Sequence, residues 1–303
     1  MAGVAYRLGF MDIPNMDTTE ANVLLAMVAI VAAMNFNGEV STPPRPHPLS
    51  THTHIHHSVH TDCFVSMHKV LGNSQIPYSK FAPAGQVFSA RVGWALMYAI
   101  PGLVYVGLWA FHTGMPNSLY HHMNLAVLAI HYGKRVFECL ALHNYSKPPP
   151  MLTVLVVASF YSLGSGVHHF LANVSVTPQE AASSPVLSNS VTYTVPITVF
   201  AVGQVINLLH HSILASLRPA GSTAYVVPSG FLFNVAVCPH YLGELIAWFG
   251  VAMVARSVFS YGAWFTMVVY LSGRALHSHE WYRKKFDPSD FPPDRAALLP
   301  FVL

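Results

Sequence analysis

Residues 150–171 read PMLTVLVVASFYSLGSGVHHFL, a run without a single Asp, Glu, Lys or Arg. Crossing the hydrocarbon of a bilayer takes about 20 mostly apolar residues in a helix, so this run by itself predicts a membrane span. Outward from it, stretches of the same character fall at roughly 21–37, 93–112, 119–142, 192–214, 230–254 and 257–276, about seven in all. The whole chain agrees with them. Its 303 residues are 53% hydrophobic and 9% charged, with 15 Lys and Arg against 12 Asp and Glu, and the mean hydropathy is +0.43. A soluble domain carries roughly 25% charged residues, so this chain has too little charge to keep its apolar surface dissolved. Disorder is excluded by the same hydrophobicity. The expected fold is all-α: a polytopic membrane bundle of about seven transmembrane helices.

The polar segments divide the chain. Gly38 to Arg91 is rich in Pro, Ser, Thr and His and reads as a loop. It separates an N-terminal segment, 1–75, holding one span and the His/Pro-rich loop, from a membrane domain, 76–303. Met1 to Asn15 has no apolar core of a cleavable signal. A second loop, Asn173 to Ser190, holds the sequon Asn173-Val174-Ser175, which could be glycosylated only on a lumenal face. At and past the end of the last span come Arg274, His277, His279, Arg283, Lys284 and Lys285; basic residues beside a span mark the cytosolic side, so the C-terminal end is expected there. The net charge of +3 is mild and suggests no nucleic-acid partner. Cys63, Cys139 and Cys238 are too scattered for a disulfide framework and read as inert thiols.

Three polar constellations sit within apolar runs, where such residues are costly and signal function. In the third span, helical spacing puts His131, Arg135, Glu138 and Leu142 on one face, with Tyr132 and Lys134 beside them. An interfacial helix end with snorkelling cations is the competing account. In the fifth span, Asn207, His211 and Arg218 share a face, a stripe suited to phosphate oxygens; interhelical hydrogen bonding is the alternative. In the sixth, His240 and Glu244 lie one turn apart, either a structural pair or part of a wet cavity.

The loop histidines, His47, His52, His54, His56, His57 and His60, invite a metal reading. Di-iron boxes need several clusters with a histidine three or four positions upstream of a His-His pair, and only His52 to His57 approximates one. A zinc transporter would need ligands facing one another across spans, and Glu138 and Glu244 are the only acids in them. The loop is read as low-complexity sequence and no metal ligands are assigned. A metal transporter or sensor stays as the alternative of another class. No Rossmann glycine fingerprint, P-loop or HExxH motif occurs.

Several motifs in one order carry a family resemblance. They are His131-Tyr132-x-Lys134-Arg135-x-x-Glu138 with His143-x-Tyr145-Ser146, Asn207 to Gly221, Tyr225-x-x-Pro228-x-Gly230-x-x-Phe233, Cys238-Pro239-His240-Tyr241-Leu242-Gly243-Glu244, Gly273-Arg274-Ala275, Trp281-Tyr282-x-x-Lys285-Phe286 and Pro292-x-x-Arg295. Together they make residues 76–303 resemble the steroid 5α-reductase family, which includes trans-2-enoyl-CoA reductases and plant-type members. The resemblance implies a multi-pass protein of the endoplasmic reticulum membrane that uses NADPH to reduce a carbon–carbon double bond conjugated to a carbonyl. It implies cofactor-binding positions at Arg135, Asn207, His211, Arg218, Tyr225, His240, Glu244, Arg274, His277, Tyr282 and Arg295. Catalytic positions are implied at Tyr132, near the substrate carbonyl, with Tyr98 as its rival and His131 beside it.

The departures from the family are specific. Tyr98 stands where steroid reductases carry a glutamate, His211 replaces an acid of the cofactor site, His240 an asparagine and Val226 an arginine. Such changes alter steroid specificity more readily than reductase chemistry. Hydride addition to the β-carbon of an enone builds negative charge on the carbonyl oxygen, which a positioned hydroxyl stabilises. The expected partners are the lipid bilayer and a hydrophobic lipid or steroid substrate, a 3-oxo-Δ4 steroid first and a trans-2-enoyl-CoA second.

Overall fold

The computed structural model describes residues 7–8, 11–12, 89–112, 118–145, 147–217, 225–292 and 294–299. The expected span at 21–37, the histidine loop and Arg218 lie outside them. Apart from a two-residue antiparallel ladder, β1 (Arg7–Leu8) with β2 (Met11–Asp12), the described residues build helices. These are α1 (Ala90–Phe111), α2 (Leu119–Phe137) running into a π-turn at Glu138–Leu142, α3 (Met151–His169) running into a π-turn at Phe170–Val174, the short α4 (Pro178–Ser183), α5 (Thr194–Ser216), α6 (Pro239–Ala255) and α7 (Val258–Lys285).

Local chemistry sets the ends. Ser89 caps α1 by accepting from the Val92 backbone N–H at 3.3 Å. Thr177 and Glu180 form a reciprocal capping box on α4. Arg283, Lys284 and Lys285 occupy the last turn of α7, where positive charge suits the helix dipole. Three helical segments, Ala90–Phe111, Met151–Val174 and Ser190–Ser216, are long and apolar enough to cross a membrane. Large apolar side chains point outward from the bundle, Phe111 at 88% exposure among them.

The stretch expected as a span at 230–254 is helical only from Pro239. Gly230 adopts φ +95°, a 3-10 turn follows at Phe231–Asn234, and Val237 and Cys238 donate to the carbonyls of Ala296 and Ala297 at 2.8 and 3.0 Å. That bridge to the C-terminal segment takes the backbone donors a helix would need. The remaining 17 residues rise about 26 Å.

The closest packing in the bundle joins α5 to α6. A Cβ built on Gly203 would lie 2.2 Å from the Ala247 nitrogen, one on Gly243 2.5 Å from the Asn207 nitrogen, and one on Gly250 2.5 Å from the Phe200 nitrogen. Glycines spaced along this seam let the two backbones touch, a device suited to membrane helices, which gain little from apolar burial. Tyr105, Val127, Leu128, Phe200 and Val251 fill the core beside the seam, and a second cluster of Val237, Leu245, Leu271, Phe291 and Leu298 fastens the C-terminal segment.

The sequon asparagine is interior. Asn173 is buried in the π-turn after α3, and its amide donates to Tyr105 Oη at 3.2 Å and contacts His169 Nδ1 at 3.1 Å. Cys139 and Cys238 are free and buried.

Two outcomes are expected. Gly203→Ala forces backbone apart and should cost roughly 1–3 kcal/mol of stability, whereas Gly107→Ala, with open space around it, should be neutral or stabilising by up to about 1 kcal/mol. Thermal inactivation in detergent compares them. Asn173 should carry no glycan in the folded protein, so endoglycosidase treatment of membrane preparations should leave its gel mobility unchanged.

Candidate functional site

The C-terminal end of α2 supplies the polar centre. Glu138 opens the π-turn and is fully buried, a placement a carboxylate tolerates only with partners. Arg135 donates to its Oε2, Lys134 Nζ lies 2.8 Å from its Oε1, and His211 Nδ1 is 3.1 Å from Oε2. Arg135 also reaches α1, donating from Nη2 to the Tyr98 hydroxyl oxygen at 2.9 Å with its guanidinium 4.6 Å from the ring centre. Lys134 donates to Asn207 Oδ1, and Asn207 Nδ2 donates to the His240 carbonyl at 2.9 Å. One short segment thereby ties together α1, α5 and α6.

A second network lies behind it. Gln204 Nε2 donates to His131 Nδ1 at 3.0 Å, which leaves the ring proton on Nε2, facing Glu244 Oε1 at 3.4 Å. Trp248 Nε1 donates to the same carboxylate oxygen at 3.2 Å. Next to His131, the Tyr132 hydroxyl meets Ser165 Oγ of α3 at 3.1 Å.

These groups surround a cavity of about 430 Å³, within the usual range of ligand pockets. Of the sequence-derived positions, Tyr98, Tyr132, Arg135, Asn207, His211, Tyr225, His240, Glu244, Arg274 and Tyr282 line it. His131, 1% exposed, does not; it holds Glu244 from behind. His277 and Arg295 are also not among the lining residues; Arg295 instead donates to the Pro228 carbonyl at 2.8 Å. Arg218 lies outside the described residues. Sequence reasoning missed Gln204 and Ser165. Gln204 stands three positions before Asn207 on the same polar stripe and was legible; Ser165, small and inside a long uncharged run, gave no signal.

Glu138, His143 and His211 offer ligand atoms all within 4.8 Å of one another. A metal ion there would meet Arg135 and Lys134, which already hold the carboxylate. Burial, with Arg135 nearby, pushes the His143 imidazole down to about 4, so it is neutral at physiological pH. Arg135 and Arg274 line the cavity against one lining acid, Glu244, and this excess of cationic and neutral donors fits an anionic group better than a metal. Excess chelator should therefore leave the turnover of membrane preparations unchanged. Activity lost to chelator and restored by zinc would identify the trio as a metal site.

The family model described as 3-oxo-5-alpha-steroid 4-dehydrogenase matches residues 148–303. A 3-oxo-5-alpha-steroid 4-dehydrogenase 1 from Rattus norvegicus is 30% identical over 259 residues, covering 81% of this chain and 94% of that protein. One of the same description from Bos taurus is 28% identical over 250 residues, 80% of this chain and 91% of its own length. A very-long-chain enoyl-CoA reductase from Dictyostelium discoideum is 26% identical over 223 residues, 70% and 71% of the two chains.

Proposed function

This chain belongs to the 3-oxo-5-alpha-steroid 4-dehydrogenase family, and on that premise we propose that it is an NADPH-dependent reductase of a 3-oxo-Δ4 steroid or a related lipid enone. Its family is one of membrane oxidoreductases acting on CH–CH groups. We place it in the endoplasmic reticulum membrane as a bundle of about seven spans with a cytosolic C-terminal end.

The observation that carries this reading is one cavity whose lining includes the tyrosines Tyr98 and Tyr132 together with the cations Arg135 and Arg274. The donor set fits a dinucleotide: Arg135 and Arg274 suit phosphate oxygens, and Asn207, His211, Tyr225, His240, Glu244 and Tyr282 supply further polar contacts. From sequence, Arg218, His277 and Arg295 belong to the same proposal. When bound, the reduced nicotinamide supplies the hydride that the β-carbon accepts. The protein's part is at the other end of the conjugated system. Tyr132, held by Ser165, donates to the carbonyl oxygen as negative charge develops there. Tyr98 accepts from Arg135, so its own proton is available to an acceptor in the cavity. Around them the wall is largely apolar, Met97, Phe160, Phe259 and Ala263 among its residues, which excludes water and suits a hydrophobic substrate.

A second reading, reduction of a trans-2-enoyl-CoA, is favoured by the Dictyostelium discoideum relative. The chemistry at the carbonyl is the same, and only the handle on the substrate differs.

Microsomes supplied with NADPH and either a 3-oxo-Δ4 steroid or a trans-2-enoyl-CoA separate the two. Zinc flux with neither substrate consumed would return the transporter alternative. Tyr132→Phe should lower the turnover number by roughly 10² to 10³ with little change in NADPH binding. Full turnover in Tyr132→Phe with collapse in Tyr98→Phe would transfer the donor's role to Tyr98. Arg274→Ala should raise the KM for NADPH about tenfold or more, the loss of one charged phosphate contact; an unchanged KM would return Arg274 to a structural role.

A further inference from the structure

Beyond the tyrosine pocket, α3 presents a polar group to which the chemistry above gives no task. Ser165, bonded to Tyr132, is followed three residues later by His168, and both line the cavity. His168 is 6% exposed. Its tautomer is set by Asn124 of α2, itself fully buried. The Asn124 amide nitrogen donates to the Tyr120 carbonyl at 2.9 Å, which turns Oδ1 toward His168 to accept from Nε2 at 3.0 Å. A neutral imidazole protonated at Nε2 has a bare lone pair on Nδ1. No described residue donates to that nitrogen, and the Tyr105 ring packs edge-on at 5.7 Å, bracing the imidazole.

His168 Nδ1 is not among the sealed, partnerless polar atoms of the described residues and opens onto the cavity, so a ligand that displaces solvent there leaves the acceptor unsatisfied, at a cost, unless it supplies the donor itself. The chemistry restricts what that ligand presents. A hydroxyl donates to Nδ1, whereas a ketone or ether oxygen would set acceptor against acceptor. Resting on the reading that the enone carbonyl sits at Tyr132, we propose that His168 is a specificity-determining residue that accepts a hydrogen bond from a substrate hydroxyl, so that the enzyme prefers hydroxylated enone lipids to their oxo counterparts. Three residues of helix separate Ser165 from His168, about 4.5 Å of axial rise, so the hydroxyl belongs on the part of the nucleus lying further along α3 from the carbonyl.

The test uses the full chain in microsomes with NADPH and 3-oxo-Δ4 steroids bearing either a hydroxyl or an oxo group at successive ring positions. At one position the wild type should favour the hydroxyl by roughly 10- to 100-fold in kcat/KM, as sites built to bond a hydroxyl reject analogues lacking it. His168→Phe should abolish that preference while still reducing the oxo substrate. His168→Gln, which keeps an acceptor, should retain part of it. Wild-type reduction of both members of every pair at equal kcat/KM overturns the hydroxyl subsite and leaves the reductase reading standing. A preference that survives in His168→Phe places the discrimination elsewhere and also overturns it. Reduction of no steroid at all overturns the substrate class, and this inference with it.

Discussion

The buried carboxylate of Glu138 is the interaction on which the rest of the site depends. An unpaired charge in that position would cost several kcal/mol, and the cost is met by partners from its own helix and from α5. Satisfying Glu138 determines where the cations point. Arg135 is left with a second edge for Tyr98, and Lys134 with a proton for Asn207. The π-turn beginning at Glu138 serves the same end: it brings the carboxylate inward at the point where α2 gives way to the extended His143. Π-turns commonly occur where a helix must present a functional group out of its regular register.

That charge cluster would be ineffective if α5 stood further from α6. Gly243 has no side chain, so the Asn207 backbone rests directly on it, and the Asn207 amide reaches the His240 carbonyl at the start of α6. The glycine seam and the ion cluster therefore act together, one setting the distance between the helices and the other using it. The C-terminal segment completes the arrangement by bonding to the chain just before α6. Its bridge to Val237 and Cys238 fixes the loop that carries Tyr225 and the first turn of α6.

The cavity lining combines two kinds of surface. Arg135, His211 and Arg274 bring donors and positive charge, and Tyr132, Ser165 and His168 bring hydroxyls and an imidazole alongside apolar residues. Glu244, steadied by His131 and Trp248, lines the same cavity.

Sequence alone determined the membrane character, the helical class and most of the polar positions. Each follows from composition or from spacing along one helix, which are local properties. Arg135 with Glu138, and Asn207 with His211, were legible because residues three and four apart share a helix face. Only the tertiary structure decided which faces meet. His131 shares a face with Arg135 in the sequence pattern, yet Gln204 and Glu244 draw it behind the wall and Tyr132 takes the cavity. Asn173 has the sequence of a glycosylation acceptor, and its burial against Tyr105 and His169 removes it from the surface. The segment from Gly230 to Cys238 has span-like hydropathy, but its Val237 and Cys238 N–H groups donate to a strand-like bridge with Ala296 and Ala297. Ser165 and His168 gained their significance from Tyr132 and Asn124, which are 33 and 44 residues away. Contacts at that separation depend on how helices dock, and no local pattern of residues records it.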